Sequence, residues 1–263
     1  MSLNREHRLK ALGLWPVWRL RAPNKAEDFE AVLEAGAPGQ SSSPVEGGGA
    51  PVLAPKADPR VEAAGLTPAP DLSALDLDGL ASVVQACGRC ALAQSRTRGV
   101  PGVGDPHAEW LFIGEAPGAD EDRLGEPFVG QAGKLLDAMM AGIGLQRGRN
   151  VYIANILKSR PPGNRDPRPD EVAACLPYLE RQIGLIKPKL IVVLGRIAAQ
   201  TLLVTDTPIG RLRGHVHQYQ GVAMVVTYHP AYLLRNPADK AKAWEDLVLA
   251  RHTLATLKTA PIP

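Results

Sequence analysis

Residues that could bind a flat heterocycle and stabilise negative charge follow successive apolar runs of this 263-residue chain. Glu115 comes directly after the run at 110–114, Asn155 lies late in the next run, and His229 follows a later one. An Asn amide both donates and accepts hydrogen bonds, so it can pair with the edge of a nucleobase. A His N–H can stabilise an oxygen that gains negative charge, and Phe128 offers a flat face for stacking. Together these residues could bind and release a nucleobase.

Taken singly, each of these residues has an ordinary explanation. A lone Asn late in a strand usually bonds its own backbone, and Phe128 would by default pack in a core. The pair His229-Pro230 is of a kind that is common in loops. Only the joint placement of these residues after successive strands indicates a ligand site.

The elements that must position these residues alternate along the chain. Apolar runs predict strands at 110–114, 151–156, 190–194 and 223–227. Helical periodicity predicts helices at 72–87, 133–143, 169–186, 196–203 and 238–257. Continuous apolar strands alternating with amphipathic helices predict an α/β fold whose central, mainly parallel four-stranded sheet is covered on both faces. In such sheets the ligand binds outside the carboxyl ends of the strands.

Composition limits the class of protein. No apolar stretch approaches the roughly 18 residues that a membrane span needs, and the start of the chain lacks the apolar segment of a signal peptide. We therefore expect a soluble, cytoplasmic protein with no membrane partner. The formal net charge of +3 is compatible with DNA binding but is too small to indicate it.

The chain divides into three predicted parts. Residues 36–70 are rich in Pro, Gly and Ser and poor in large apolar groups, which predicts a disordered linker. The preceding tail, residues 1–35, is basic near its start and carries Trp15 and Trp18. Those side chains could either fold back onto the domain or dock on a partner. Residues 71–263 are predicted to form the folded domain.

Three motifs in this predicted domain resemble the signature regions of the family 4 uracil-DNA glycosylases. They are GEAPGADEDRLGEPFVGQAG from Gly114, NILKSRPPGN from Asn155 and HPAYLLRN from His229. The resemblance covers about residues 80–257. It implies a three-layer α/β/α sandwich and a monofunctional enzyme that flips deoxyuridine out of DNA and hydrolyses its N-glycosidic bond. The product would be an abasic site, as in base excision repair.

The resemblance also implies roles for individual residues. Phe128 would stack on the base, Asn155 would pair with its edge and His229 would stabilise the departing uracil. Glu115 and Glu121 correspond to acidic residues of the first motif, and either could orient the attacking water. Three further residues of that motif are expected to bind the base: Ala116, Pro117 and Gly118. Ala116 stands where the better-known first family has a catalytic aspartate.

The third motif is expected to contact DNA. The resemblance implies that the segment from His229 enters the minor groove, where apolar side chains can fill the place of a flipped base. The candidates for this wedge are Leu233, Leu234 and Arg235. No Lys is placed to form a Schiff base, so we expect no strand scission.

The cysteines indicate a metal, cluster or redox role. Cys87 and Cys90 form a Cys-x-x-Cys pair, and Cys175 follows much later. The family resemblance implies a 4Fe-4S cluster, which four cysteine thiolates ordinarily hold, but Ser159 occupies the position of the third cysteine. The open alternatives are a cluster with Ser159 or solvent at the fourth iron, a cluster of fewer irons, and bare thiols without metal.

The tail has a resemblance of its own. Leu9, Leu12, Trp18 and the residues after them resemble the N-terminal peptide of the psi subunit of bacterial DNA polymerase III. That resemblance implies binding to the chi subunit, which would concentrate the domain at replication forks. It also leaves a second function open: an inactive glycosylase-like adaptor tethered to the replisome.

Overall fold

The computed structural model describes residues 70–259, in which strands and helices alternate. The strands are β1 (Val103–Gly104), β2 (Trp110–Gly114), β3 (Val151–Asn155), β4 (Leu190–Leu194), β5 (Val216–Tyr219) and β6 (Val222–Thr227). The helices are α1 (Leu77–Ala86), α2 (Leu92–Ser95), α3 (Ala119–Leu124), α4 (Gln131–Gly142), α5 (Pro169–Ile186), α6 (Arg196–Leu203), α7 (Ile209–Leu212), α8 (Pro230–Arg235) and α9 (Lys240–Thr259). The predicted tail, and nearly all of the predicted linker, lie outside the described residues.

The strands form one sheet in the order β1-β3-β2-β4-β6-β5. The four inner strands, β3, β2, β4 and β6, are mutually parallel, which confirms the predicted parallel sheet. The sheet has six strands rather than four, because β1 and β5 add antiparallel edges. These edges escaped prediction because β1 has only two residues and β5 alternates exposed and half-buried side chains without an apolar run.

The inner strands are apolar because both of their faces are covered. Side chains on one face, such as Leu111 and Ile191, pack with buried residues of α5 and α6. Side chains on the other face, such as Phe112 and Val192, pack with buried residues of α4 and α9. This arrangement of helix, sheet and helix is the expected three-layer sandwich. Within residues 70–259, no helix is both long and apolar enough to cross a membrane.

Parallel pairing brings the informative residues to one edge of the sheet. Gly114 at the end of β2 pairs with Asn155 at the end of β3. The segments that follow β2 and β3 also stay paired, since the N–H of Leu157 donates to the carbonyl of Glu115 at 3.0 Å. Two short helices that were not predicted, α3 and α8, begin at the same edge. The first and third motifs therefore meet where the parallel strands end.

Candidate active site

A cavity of about 380 Å³ lies at the carboxyl ends of the parallel strands. It is lined by all the residues that were predicted to act in catalysis or base binding: Glu115, Ala116, Pro117, Gly118, Glu121, Phe128, Asn155 and His229. The structure thus brings together side chains that are up to 114 positions apart in the sequence. The volume of the cavity is in the range of small-molecule binding sites.

Asn155 presents an unpaired hydrogen-bond acceptor. Its side chain is 2% exposed, and its Oδ1 has no hydrogen-bond partner in the structure. A buried acceptor without a partner is costly, so such an atom points to a ligand that donates to it. Lys158, which is also buried, donates from Nζ to the backbone carbonyl of Asn155 at 2.8 Å and fixes the end of β3.

Phe128 forms an aromatic wall beside this acceptor. Its ring centroid is 5.5 Å from that of His229, and the two ring planes are tilted by 31°. A β-carbon built on Gly114 would lie 2.5 Å from Cζ of Phe128, so the ring packs directly over the strand backbone. The side chain is 6% exposed. The cavity lies beside this ring and offers the space that a base would need.

His229 is a neutral hydrogen-bond donor in this setting. Its Nδ1 accepts from the N–H of Ala231 at 3.1 Å, at the start of α8, which assigns the ring proton to Nε2. Burial, with a smaller contribution from the nearby Arg235 and an opposing one from Glu121, lowers the pKa of His229 to about 4. The imidazole can therefore donate without carrying a positive charge at neutral pH.

The two predicted acids lie in different environments. Burial raises the pKa of Glu115 to about 7, with a smaller contribution from Asp166 and an opposing one from Arg196. Glu121 instead acts as a backbone acceptor: its Oε2 accepts from Gly118, and its Oε1 accepts from the N–H groups of residues 129 and 130, at 2.9 to 3.1 Å. Glu115 is thus the acid with free capacity to bind water.

Part of the cavity wall comes from residues that were not among the predicted site residues. Pro161, Asn164, Arg165 and Asp166 line it, and they lie in the loop after β3, which contains the end of the second motif. Arg165 is held by two hydrogen bonds to Glu171, at 2.5 and 2.8 Å. Asp166 pairs with Arg196 at 2.9 Å. The sequence signal that could have found these residues is a cluster of polar side chains shortly after β3. The loop after β3 leaves the sheet at the edge where ligands bind, so its polar residues are candidates for the site.

The predicted DNA wedge divides into buried and exposed side chains. Leu233 is 1% exposed and faces the domain, whereas Leu234 is 44% exposed. Arg235 is exposed and lines the cavity. The residues of this segment form helix α8, which packs against α4. Only Leu234 therefore offers an apolar side chain to a partner on this surface.

Comparison with known proteins identifies the family. Residues 101–248 match the model of the family described as the uracil DNA glycosylase superfamily. The chain belongs to this superfamily. The matched residues run from β1 into α9 and include every residue that lines the cavity, so the superfamily domain and the candidate site coincide.

Within the superfamily, this chain is similar to proteins named type-4 uracil-DNA glycosylase. One from Archaeoglobus fulgidus is 48% identical over 169 residues, which are 61% of this chain and 84% of that protein. One from Sulfurisphaera tokodaii is 45% identical over 191 residues, 69% of this chain and 86% of the relative. One from Pyrobaculum aerophilum is 42% identical over 185 residues, 66% and 93% of the two chains. The resemblance to family 4 is confirmed.

The three cysteines, Cys87, Cys90 and Cys175, are free thiols, and only Cys175 lies within the matched residues. Burial raises the pKa of Cys175 to about 11, and the neighbouring thiols of Cys90 and Cys87 add to the shift. The Sγ of Cys175 accepts from the backbone N–H of Lys158 at 3.5 Å, and the Sγ of Cys87 accepts from the hydroxyl of Tyr178 at 3.2 Å. Across residues 70–259, no three His, Cys, Asp or Glu side chains are arranged to hold a metal ion.

Ser159 directly follows Lys158, whose backbone N–H donates to the thiol of Cys175. It is 2% exposed, and its Oγ accepts from Nη1 of Arg96 at 2.8 Å. The same guanidinium donates to the carbonyls of Val84, Gln85 and Cys87 at 2.7 to 3.0 Å. Arg96 therefore joins the end of α1 to the loop after β3.

Proposed function

We propose that this chain is a monofunctional uracil-DNA glycosylase, which hydrolyses the N-glycosidic bond of flipped-out deoxyuridine and leaves an abasic site. The observation that carries the proposal is the unpaired, buried Oδ1 of Asn155 beside the ring of Phe128. The names of the three relatives support the same substrate. The adaptor alternative finds no comparable support, since the base site is complete.

Recognition follows from the two hydrogen-bonding groups of the Asn155 amide. Its Oδ1 accepts from N3–H of uracil and its Nδ2 donates to O4, while Phe128 stacks on the ring. Cytosine has no hydrogen on N3 and carries a donor at position 4, so it would leave the Asn155 amide mispaired. A buried amide without partners makes such a base a poor substrate.

Bond cleavage places negative charge on the departing base and positive charge on the sugar. The C1′–N1 bond breaks, its electron pair leaves with uracil, and water forms the new bond to C1′. His229 donates from Nε2 to a uracil oxygen and stabilises the anion. As a neutral donor it does not add a cation beside the cationic sugar.

Glu115 is the residue that we assign to the attacking water. Its half-buried carboxylate, ionised above its raised pKa, accepts a proton from water as the bond to C1′ forms. Glu121 positions the site, since its carboxylate binds the amides of the loop that carries Phe128. Ala116, Pro117 and Gly118 supply backbone along the base pocket.

On the DNA side, we assign the wedge to the exposed part of α8. Leu234 would fill the stack that the flipped nucleotide leaves, and Arg235 would contact the phosphate backbone. Leu233 would support these residues from inside the domain because it is buried.

The test is an excision assay on single- and double-stranded oligonucleotides that contain one uracil, with thymine and cytosine oligonucleotides as controls. We expect free uracil and an alkali-sensitive abasic site from the uracil substrates only. Asn155→Ala and His229→Ala should each lose about 10²-fold or more of the rate. Absence of product with the wild-type protein, under reducing and iron-replete conditions, would end the proposal.

For the cofactor, we propose that the domain works without an intact 4Fe-4S cluster. Such a cluster ordinarily needs four thiolates, whereas this chain offers Cys87, Cys90 and Cys175. The fourth position is the hydroxyl of Ser159, a far weaker ligand that already accepts from Arg96. The residues present do not fit the four-thiolate group, and no step of the reaction passes through it.

The role of the tail and the cellular location are also proposals. We propose that residues 1–35 bind the chi subunit of DNA polymerase III and that residues 36–70 act as a flexible tether to the domain, in the cytoplasm where the DNA substrate lies. A pull-down of chi by the full chain, lost on deletion of residues 1–25 with excision unchanged, would support this. Equal capture by the truncated chain would contradict it.

A further inference from the structure

Phe128 has a backbone conformation that an aromatic residue rarely adopts. Its φ angle is +55°, in the left-handed region, which is unfavourable for a residue with a β-carbon. The conformation persists only where neighbouring groups enforce it. The position of the stacking ring therefore depends on whatever holds the backbone of the loop at 125–130.

Arg147 holds this loop from the side of its carbonyl groups. Nη2 donates to the carbonyl of Phe128 at 2.7 Å, and Nη1 donates to the carbonyl of Pro127 at 3.0 Å. Nε donates to Asp137 of α4 at 2.9 Å, so the guanidinium is itself anchored. The planar fork of an arginine can bind all three acceptors at once, which a lysine ammonium on a flexible stem cannot do in the same geometry.

The other contacts of this loop involve its amide groups and its close packing, whereas Arg147 binds the carbonyls of Pro127 and Phe128. Glu121 binds the amide groups of Val129 and Gly130. Gly133 at the start of α4 lies so close that a β-carbon there would overlap the carbonyl oxygen of Phe128. Arg147 is not among the residues that line the cavity, so its contacts reach a bound base through the loop rather than directly.

We propose that Arg147 is a positioning residue for base stacking, which holds the Phe128 ring against Gly114 and His229 through the carbonyls of Pro127 and Phe128. The inference rests on the proposed function and adds a residue to it. Without the guanidinium, the backbone of Phe128 relaxes towards negative φ, and the ring leaves the face of the base.

The experiment compares Arg147→Gln and Arg147→Lys with Arg149→Gln. Arg149 is exposed and lies two positions further along the same loop, so its variant controls for the loss of one positive charge near DNA. Single-turnover excision and affinity for uracil DNA are measured separately. We expect both Arg147 variants to lose about 10- to 100-fold of the excision rate, with DNA affinity and the Arg149→Gln variant within about 3-fold of wild type.

A double-mutant cycle with Phe128→Leu separates positioning from general damage to the fold. If Arg147 acts through the ring, Arg147→Gln lowers the rate by less than about 2-fold once the ring is removed. An unchanged loss in the Phe128→Leu background, or full activity of Arg147→Gln beside an active wild type, would overturn the inference alone. An inactive wild type would overturn the proposed function and, with it, this role of Arg147.

Discussion

Gly114 and Asn155 meet side by side at the ends of two parallel strands, and a β-carbon on Gly114 would overlap Oδ1 of Asn155. The same β-carbon would lie 2.5 Å from the ring of Phe128. The Asn155 amide and the Phe128 ring, to which we assign base recognition and stacking, therefore converge over a backbone position that has room only for hydrogen. Glycine is required here by the close approach of side chains.

Gly114→Ala should consequently damage the site more than the fold. The new methyl group displaces the Asn155 amide and the Phe128 ring, so we expect a loss of about 10²-fold or more in single-turnover excision. Gly184→Ala is the matched control: nothing lies within 4 Å of its β-carbon, and Ala favours the helix. Activity of Gly114→Ala within a few fold of the control would contradict the geometry.

The excision rate should rise with pH through the pKa of Glu115. Because burial raises that pKa to about 7, the carboxylate that accepts a proton from water is fully formed only above neutral pH. We expect the single-turnover rate to follow one ionisation near pH 7 and Glu115→Gln to be slow and flat over about pH 6 to 8. His229, with its pKa of about 4, adds no titration in this range, whereas burial lowers the pKa of Lys158 to about 7, so the Glu115→Gln comparison decides which group is responsible. An unchanged profile in Glu115→Gln would assign the ionisation elsewhere.

Glu115→Gln should also be more stable than wild type at alkaline pH. The pKa of Glu115 is raised from its ordinary 4.5 to about 7, so between these values the folded state retains a proton that the unfolded state has lost. The free energy of unfolding then falls as pH rises through this window, and a neutral amide removes the cost. We expect a gain of about 1 to 2 kcal/mol at about pH 8 and little difference near pH 4.5, by denaturant unfolding. A less stable variant at pH 8 would refute the argument.

Ser159→Cys should change the iron content of the protein. The substitution restores a fourth thiol beside Cys87, Cys90 and Cys175 and removes the acceptor of Arg96. We expect anaerobically purified wild type to be nearly iron-free and colourless, and the variant to bind up to about four irons per chain with broad absorbance near roughly 400 nm. About four irons in wild type would contradict the cluster-free proposal.

Sequence patterns predicted the parts of the fold that rest on continuous burial. The inner strands are apolar on both faces, and residues 169–186 begin with Pro169 and show helical periodicity, so their types and positions could be predicted. The strand β5 could not, because an edge strand with one solvent-facing side carries no such pattern. The short helix α8 was likewise missed, and with it the burial of Leu233.

Sequence patterns predicted many of the residues that line the cavity but not the contacts that each one makes. Glu115 and His229 follow parallel strands and Asn155 ends one, and topology alone brings such residues together. Glu121 could equally have bound water or backbone amides, and only the loop geometry shows the second. Arg147 has no sequence signal, because its partners are carbonyls of residues 127 and 128, which any sequence would supply.

The central claim is that the unpaired Oδ1 of Asn155 binds the edge of uracil, and its most direct test is the single-turnover release of free uracil by wild type, Asn155→Ala and Gly184→Ala. Wild type and the Gly184→Ala control should release uracil at the same rate. Asn155→Ala should be at least about 10²-fold slower while its thermal unfolding is unchanged, because the lost oxygen has no partner in the folded protein. Release of uracil by Asn155→Ala as fast as by wild type would contradict the account.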